Sequence, residues 1–243
     1  MALLLVDSAI TGYEHIVLAA QPTTSVVVFD SYVDTFASLK RKIMDAGRMP
    51  LDTIGIVQHG NVYAPYYKLL ETQAAPAVIA DVEGRDPGLE SWSELREFYG
   101  WLRDVCGAAV IDLISCGLWA NPGWVYVLEK LETELGLNFR ASINETGNIA
   151  SGGDWIQESD GVDIAEVYFT EAITSFTNLL YTVYFKPLCS MVAVSGTVIN
   201  GKDIQIRFML GIDSAKVSLV RTLFPVFWDF RYAWVAWRGR AGR

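Results

Sequence analysis

The chain has 243 residues, of which 51% are hydrophobic and 19% charged. That supplies a sizeable core and excludes disorder as a description of the whole chain. Lys and Arg number 19 against 28 Asp and Glu, a net charge of −9, which excludes a general nucleic-acid binder because phosphates would repel it. The charge is uneven: Arg231, Arg238, Arg240 and Arg243 put +4 on the last 13 residues and leave −13 on the rest. Such a tail suits an acidic patch on another copy of the chain.

Cys106, Cys116 and Cys189 form no CxxC pair, which excludes a disulfide framework and a cysteine-built zinc site. Their odd number suits a reducing compartment. His15 and His59 are the two histidines, so histidine-dependent chemistry must use one of them. The apolar run 2–6 stops at Asp7 and has no basic segment before it, so no signal peptide and a cytoplasmic location are expected. Residues 173–194 are apolar, but Lys186 and Pro187 interrupt them, and buried strands or helix are expected there rather than a membrane span.

In chain order, residues 3–6, 25–29, 54–57 and 109–114 are short apolar runs ending at Asp7, Asp30, Gln58-His59-Gly60 and Ser115-Cys116-Gly117. Such runs suit strands buried on both faces of a parallel sheet. Helices are predicted between them. Asp34 can cap one with apolar positions Phe36, Leu39, Ile43 and Met44, ended by Gly47. Ser91 and Glu94 form a capping-box pattern before Leu95, Phe98, Tyr99 and Leu102. Asn121-Pro122 opens a third, lined by Trp124, Val127, Leu128, Leu131 and Leu135 and closed by Gly136. This rhythm predicts a doubly wound, mostly parallel α/β sheet.

Residues 61–90 are too long for an ordinary turn and read as a functional or interaction loop. Residues 144–153 are rich in Gly, Asn and Ser. Residues 188–210 read as a β-hairpin turning at Asn200-Gly201-Lys202-Asp203, and residues 224–237 gather seven aromatic side chains. The expected division is an α/β domain over 1–170 and an extension over 171–243, packed on the first domain or on a partner subunit.

In an open α/β sheet, sites form beyond the carboxyl ends of the strands. One such end carries His59 and another Cys116. If those strands are neighbours, the imidazole can serve as base for the thiol. The backbone N–H groups of Gly60 and Cys116 could then form an oxyanion hole. Each residue alone has a plainer reading, Cys116 as a small buried hydrophobe and His59 as a turn residue. His15 reads as a surface or helix residue. Asp7, Asp30 and Asp154 read as turn or cap residues rather than metal ligands. Gly152-Gly153 is too short for a phosphate loop. No metal or cofactor is expected.

The segments IGIVQHG and AVIDLISCG resemble the two catalytic segments of the caspase-like cysteine peptidases, the group of caspases, gingipains, legumains and separase. The chain is more similar to a bacterial domain of unknown function found at the start of large surface and adhesin proteins. Its members open with LLVVDS, as residues 3–8 do here, and carry an HIVSHG-like and a YGC segment. They close with ASxxxTG…GGDW, matched by Ala141-Ser142, Thr146-Gly147 and 152–155. The resemblance covers 3–158. It departs at Gln58, where Ser is usual, at the bulky Tyr63, Tyr66 and Tyr67, and at the sequence following Cys116; the caspase pentapeptide is absent. Bulky residues there imply a filled pocket.

The resemblance implies His59 as base, Cys116 as nucleophile and Gly60 as oxyanion donor, and assigns no specificity residue. A thiol endopeptidase acting on a peptide substrate is therefore one expectation. The other is a catalytically inactive structural protein that keeps the fold and self-assembles into a homo-oligomer or lattice through residues 224–243. A small-ligand binding module has no specific support.

Overall fold

The strands form where β-branched and leucine runs can be buried on both faces at once. A computed structural model describes residues 1–47, 49–60, 66–74, 77–78 and 92–180. The main sheet contains β1 (Ala2–Asp7), β2 (Thr24–Phe29), β3 (Thr53–Val57), β6 (Val110–Ile114) and β7 (Asn138–Ala141). Two-residue strands β4 (Tyr66–Tyr67) and β5 (Ala77–Val78) pair antiparallel, as do β8 (Ile156–Gln157) and β9 (Val162–Asp163). The five main strands are all parallel, in the order β2-β1-β3-β6-β7. The chain reverses its direction of winding between β1 and β3, which makes that pair the switch point of the sheet.

Two apolar layers cover the sheet. One joins Leu3, Leu5, Phe29, Ile54, Ile56, Ile111 and Leu113 to helices α2 (Phe36–Asp45), α3 (Ser93–Asp104) and α4 (Pro122–Leu135). The other joins Leu4, Val6, Val57, Ile114 and Cys116 to α1 (Tyr13–Ala19) and α5 (Ile164–Tyr168). Leu3 and Leu4 thus face opposite layers, as the period of a strand requires. The doubly wound parallel sheet expected from the sequence is present.

Several local expectations change. Thr35, not Asp34, caps α2: its side chain accepts from the Ser38 N–H, and Ser38 Oγ accepts in return from the Thr35 N–H. Asp34 instead accepts from Ser38 Oγ at 2.7 Å and pairs with Lys42 at 2.7 Å. Met44 is exposed rather than apolar lining, because it sits off the stripe set by Leu39 and Ile43. Trp92 precedes α3 without a side-chain cap. Glu94 accepts from the Ala74 N–H at 2.9 Å, and Ser91, the other half of the expected capping box, lies outside the described residues. Asn121 does cap α4, accepting from the Gly123 N–H, and Gly136 ends it.

Strand β7 is absent from the sequence reading because its residues, Asn-Phe-Arg-Ala, do not form an apolar run. The polar member has a partner. Arg140 lies opposite Asp112 in register and holds it by two hydrogen bonds, at 2.6 and 2.7 Å. Asp112 is fully buried, and Tyr168 of α5 donates its hydroxyl to the same carboxylate at 2.5 Å. Burial, and then the Asp112 charge, push the Tyr168 hydroxyl well above its usual range, so it stays a donor.

Met1–Tyr184 belongs to one compact unit, and Phe185–Arg243 lies outside the described residues. The expected hairpin at 188–210, the aromatic cluster at 224–237 and the Arg-rich tail lie outside the described residues, as does most of the 61–90 loop. Among the described residues, no helix is long and apolar enough to cross a membrane.

Replacing Asp112 by Ala leaves Arg140 and Tyr168 facing each other without their acceptor. Loss of one partner of a buried ion pair costs about 3–5 kcal/mol. We expect a loss of that size in the urea unfolding free energy of Asp112→Ala.

Candidate active site

Parallel pairing of β3 with β6 sets Val57 opposite Ile114. The residues that follow, 58–60 and 115–117, therefore leave the same edge of the sheet side by side. Their approach is close: a Cβ added to Gly60 would lie 2.6 Å from the Cys116 carbonyl oxygen and 2.7 Å from its nitrogen. Only glycine fits there. The structure thus brings the His59-Gly60 backbone against Ser115-Cys116. Gln58, at the position where the resemblance expects Ser, donates from Nε2 to the Lys68 and Leu69 carbonyls at 3.0 and 3.1 Å. It anchors the segment that leads away from the site.

The Cys116 side chain is buried. Its sulfur accepts from the Thr146 N–H at 3.2 Å, and the thiol donates to the Thr146 carbonyl at 3.7 Å. Burial pushes the thiol up to about 12; the N–H groups of Thr146 and Leu180 act against that, and Glu145 adds to it. The thiol of this closed arrangement is therefore protonated at neutral pH. Cys106 is likewise buried and is raised to about 11 by desolvation. His59 is half-buried, and its Nδ1 is enclosed without a hydrogen-bond partner. Burial lowers its proton affinity and the Asp7 carboxylate partly restores it, which leaves the imidazole neutral at pH 7.

Gly60, the expected oxyanion donor, has its N–H engaged by the Leu180 carbonyl at 3.0 Å. That carbonyl belongs to the segment 178–180, which bridges antiparallel to Gly147 through Leu179. Leu180 donates its N–H to the Thr146 carbonyl at 2.9 Å, and Asn148 donates to the Asn178 carbonyl at 3.0 Å. The glycines of the TG and GGDW motifs make room for it. A Cβ on Gly147, whose φ is +132°, would lie 2.6 Å from the Asn178 carbonyl oxygen, and one on Gly153 would lie 2.6 Å from Leu179 Cδ2. Leu180 itself is fully buried.

In the sequence, Thr146-Gly147 and Gly153 stand out only as motif positions. Leu180 carries no pattern of its own. The other candidates fall into structural roles. His15 lies exposed on α1 and contacts Ser175 Oγ at 3.2 Å. Asp7 accepts from the Ala9 and Ser31 N–H groups, Asp30 from Tyr32, and Asp154 from Ile156 and Asn144. No group of three or more potential metal ligands occurs among the described residues.

The fold and site together define a class: a five-stranded parallel α/β domain with a histidine and a cysteine at adjacent strand ends. Residues 3–180 match the family described as Domain of unknown function (DUF4347), well over half of the chain, and the protein belongs to that family. No curated protein and no solved structure matches it.

The Gly60 contact and the thiol environment each give an expectation. Gly60→Ala must push the two strand ends apart, and overpacking of this kind costs about 1–3 kcal/mol. Thermal or chemical unfolding will show a loss in that range. Cys116 of the native chain will be alkylated by iodoacetamide roughly a hundredfold or more slower at pH 8 than a free thiol, because little of it is thiolate. Its rate will climb as pH rises toward 10; mass-spectrometric mapping of labelled peptides separates it from Cys106 and Cys189.

Proposed function

We propose that this domain is a caspase-like thiol endopeptidase in which Cys116 is the nucleophile, His59 the base and Gly60 an oxyanion donor. The observation that carries the reading is the meeting of the two strand ends, with the Gly60 backbone in contact with that of Cys116. His59 leaves the strand end next to the one that carries Cys116, and a neutral imidazole is the base a cysteine nucleophile needs. The N–H of Gly60 holds a peptide carbonyl, which is what an oxyanion donor does to a substrate. The departure at Gln58 has a structural use and leaves the three residues in place.

The buried, protonated thiol also favours a second reading, an inactive domain that serves as a structural or self-assembling unit through residues 224–243. The two differ in whether His59 activates Cys116 once the segment over the site is displaced. In Leu180→Asp a charge replaces the buried leucine and disfavours the closed arrangement. In that background, Cys116 should react with iodoacetamide about tenfold faster with His59 present than in Leu180→Asp/His59→Ala. Equal rates in the two variants would remove the peptidase reading and leave the structural one.

A further inference from the structure

The two edges of the main sheet are finished differently. The outer edge of β7 is covered. Phe139 donates its N–H to Glu132 at 2.8 Å, Ala141 donates to Ser159 Oγ at 3.1 Å, and the Ala141 carbonyl accepts from the Ser159 N–H at 3.2 Å. Strand β2 is the other edge. Its Phe29 carbonyl accepts at 2.8 Å from the N–H of Ser8, which follows β1. Residues 25, 27 and 29 therefore turn their backbone groups inward to β1, and residues 24, 26 and 28 turn theirs outward. Two of the outward groups have partners: the Thr24 N–H donates to the Gln21 carbonyl at 2.9 Å, and the Val28 carbonyl accepts from Lys42 Nζ at 3.3 Å. The Thr24 carbonyl, both groups of Val26 and the Val28 N–H have none among the described residues. A shallow open groove lined by Val26, Val27, Val28, Lys42, Asp45 and Ala46 runs along them. Val26 and Val28 are half-buried.

We infer that two copies of this chain pair through β2, antiparallel and centred on Val26. Unpaired backbone groups on a sheet edge are a template for another strand. The free groups of β2 are complementary to their own reverse. With Val26 opposite Val26 of the second copy, each Val26 N–H meets the other Val26 carbonyl, and each Val28 N–H meets the Thr24 carbonyl of the other copy. Every free group of the edge is then satisfied. The two groups already engaged, the Thr24 N–H and the Val28 carbonyl, face each other and need nothing further. A shift by two residues either way spoils the match: a Val26 N–H meets a carbonyl held by Lys42, or a Val26 carbonyl meets an N–H held by Gln21. A strand from a different protein would bring a free carbonyl and a free N–H to those two engaged positions and leave both unpaired. That difference selects a second copy as the occupant. The pairing also sets Val26 against Val26 on one face, a β-branched cross-strand contact. It joins two five-stranded sheets into one, with their carboxyl edges pointing opposite ways, so neither His59–Cys116 edge lies under the other copy.

The test is the mass of the purified full-length chain in solution, by sedimentation or light scattering, from about 1 to about 200 µM. The expected result is a mass that doubles as the concentration rises through this range. Val26→Pro removes the donor at the centre of the pairing, and proline is tolerated on an edge where the N–H faces solvent. It should raise the dissociation constant about tenfold or more while the far-UV circular dichroism stays unchanged. Should Val26→Pro fail to fold, Val26→Lys sets like charges opposite each other and gives the same comparison. Crosslinking reads the register. Cα atoms of a hydrogen-bonded antiparallel pair lie about 5.5 Å apart, within reach of a disulfide. Under mild oxidation Val26→Cys should form a dimer bridged at residue 26, located by mass spectrometry. Val28→Cys should form at least tenfold less, because residue 28 faces Thr24 of the other copy. A chain that stays monomeric throughout overturns the inference and leaves the edge to an extended segment of another protein. A dimer that persists in the folded Val26 variant, or equal crosslinking at 26 and 28, places the contact elsewhere and overturns it as well.

Discussion

The pairing of β3 with β6 is the constraint on which the site depends. Parallel strands have their carboxyl ends on one edge of the sheet, so two loops that follow neighbouring strands must start next to each other. With Val57 opposite Ile114, His59-Gly60 and Ser115-Cys116 have nowhere else to go. Gly60 then decides how close they come. Its missing side chain lets one backbone rest on the other, and any Cβ would have to occupy the space of the Cys116 peptide. The histidine and cysteine read along the chain come together only through this register.

The rest of the sheet holds that register from the side. Strand β7 closes the edge next to β6, and its contribution is partly ionic. Asp112 and Arg140 form a two-bonded pair across the strands, and Tyr168 brings α5 to the same carboxylate. A buried carboxylate with three hydrogen bonds accepts few other neighbours, so the group specifies which strand and which helix meet there. It lies near the middle of β6, one strand's length from Cys116. The cysteine at the carboxyl edge and the polar clamp below it therefore belong to the same strand.

The environment of the thiol follows from what lies above it. Residues 178–180 exclude water from Cys116, and desolvation outweighs the N–H groups that would favour the thiolate. The same segment places a carbonyl on Gly60. Burial of the Cys116 thiol and engagement of the Gly60 N–H are thus one structural fact with one cause. The TG and GGDW motifs belong to that cause, because Gly147 and Gly153 are the positions where a side chain would collide with the segment.

The sequence by itself determined the strands whose burial is two-sided. Residues 3–6, 25–29, 54–57 and 109–114 announce themselves through unbroken apolar runs, and the helices α2, α3 and α4 through their spaced leucines and aromatics. It determined the pairing of a histidine and a cysteine with strand ends, since both follow such runs directly. It did not reveal β7, whose arginine is satisfied only by a residue 28 positions away. It placed the α2 cap one residue early, because Asp34 and Thr35 are both capping types and only the chain's path chooses between them. Nor did it mark Leu180. Its role comes from an antiparallel bridge to Gly147 and a hydrogen bond from Gly60, partners far off in the chain. Short-range periodicity is written in the chain because each strand or helix must bury its own face. What covers a site is decided by contacts between distant segments, and those exist only once the sheet has formed.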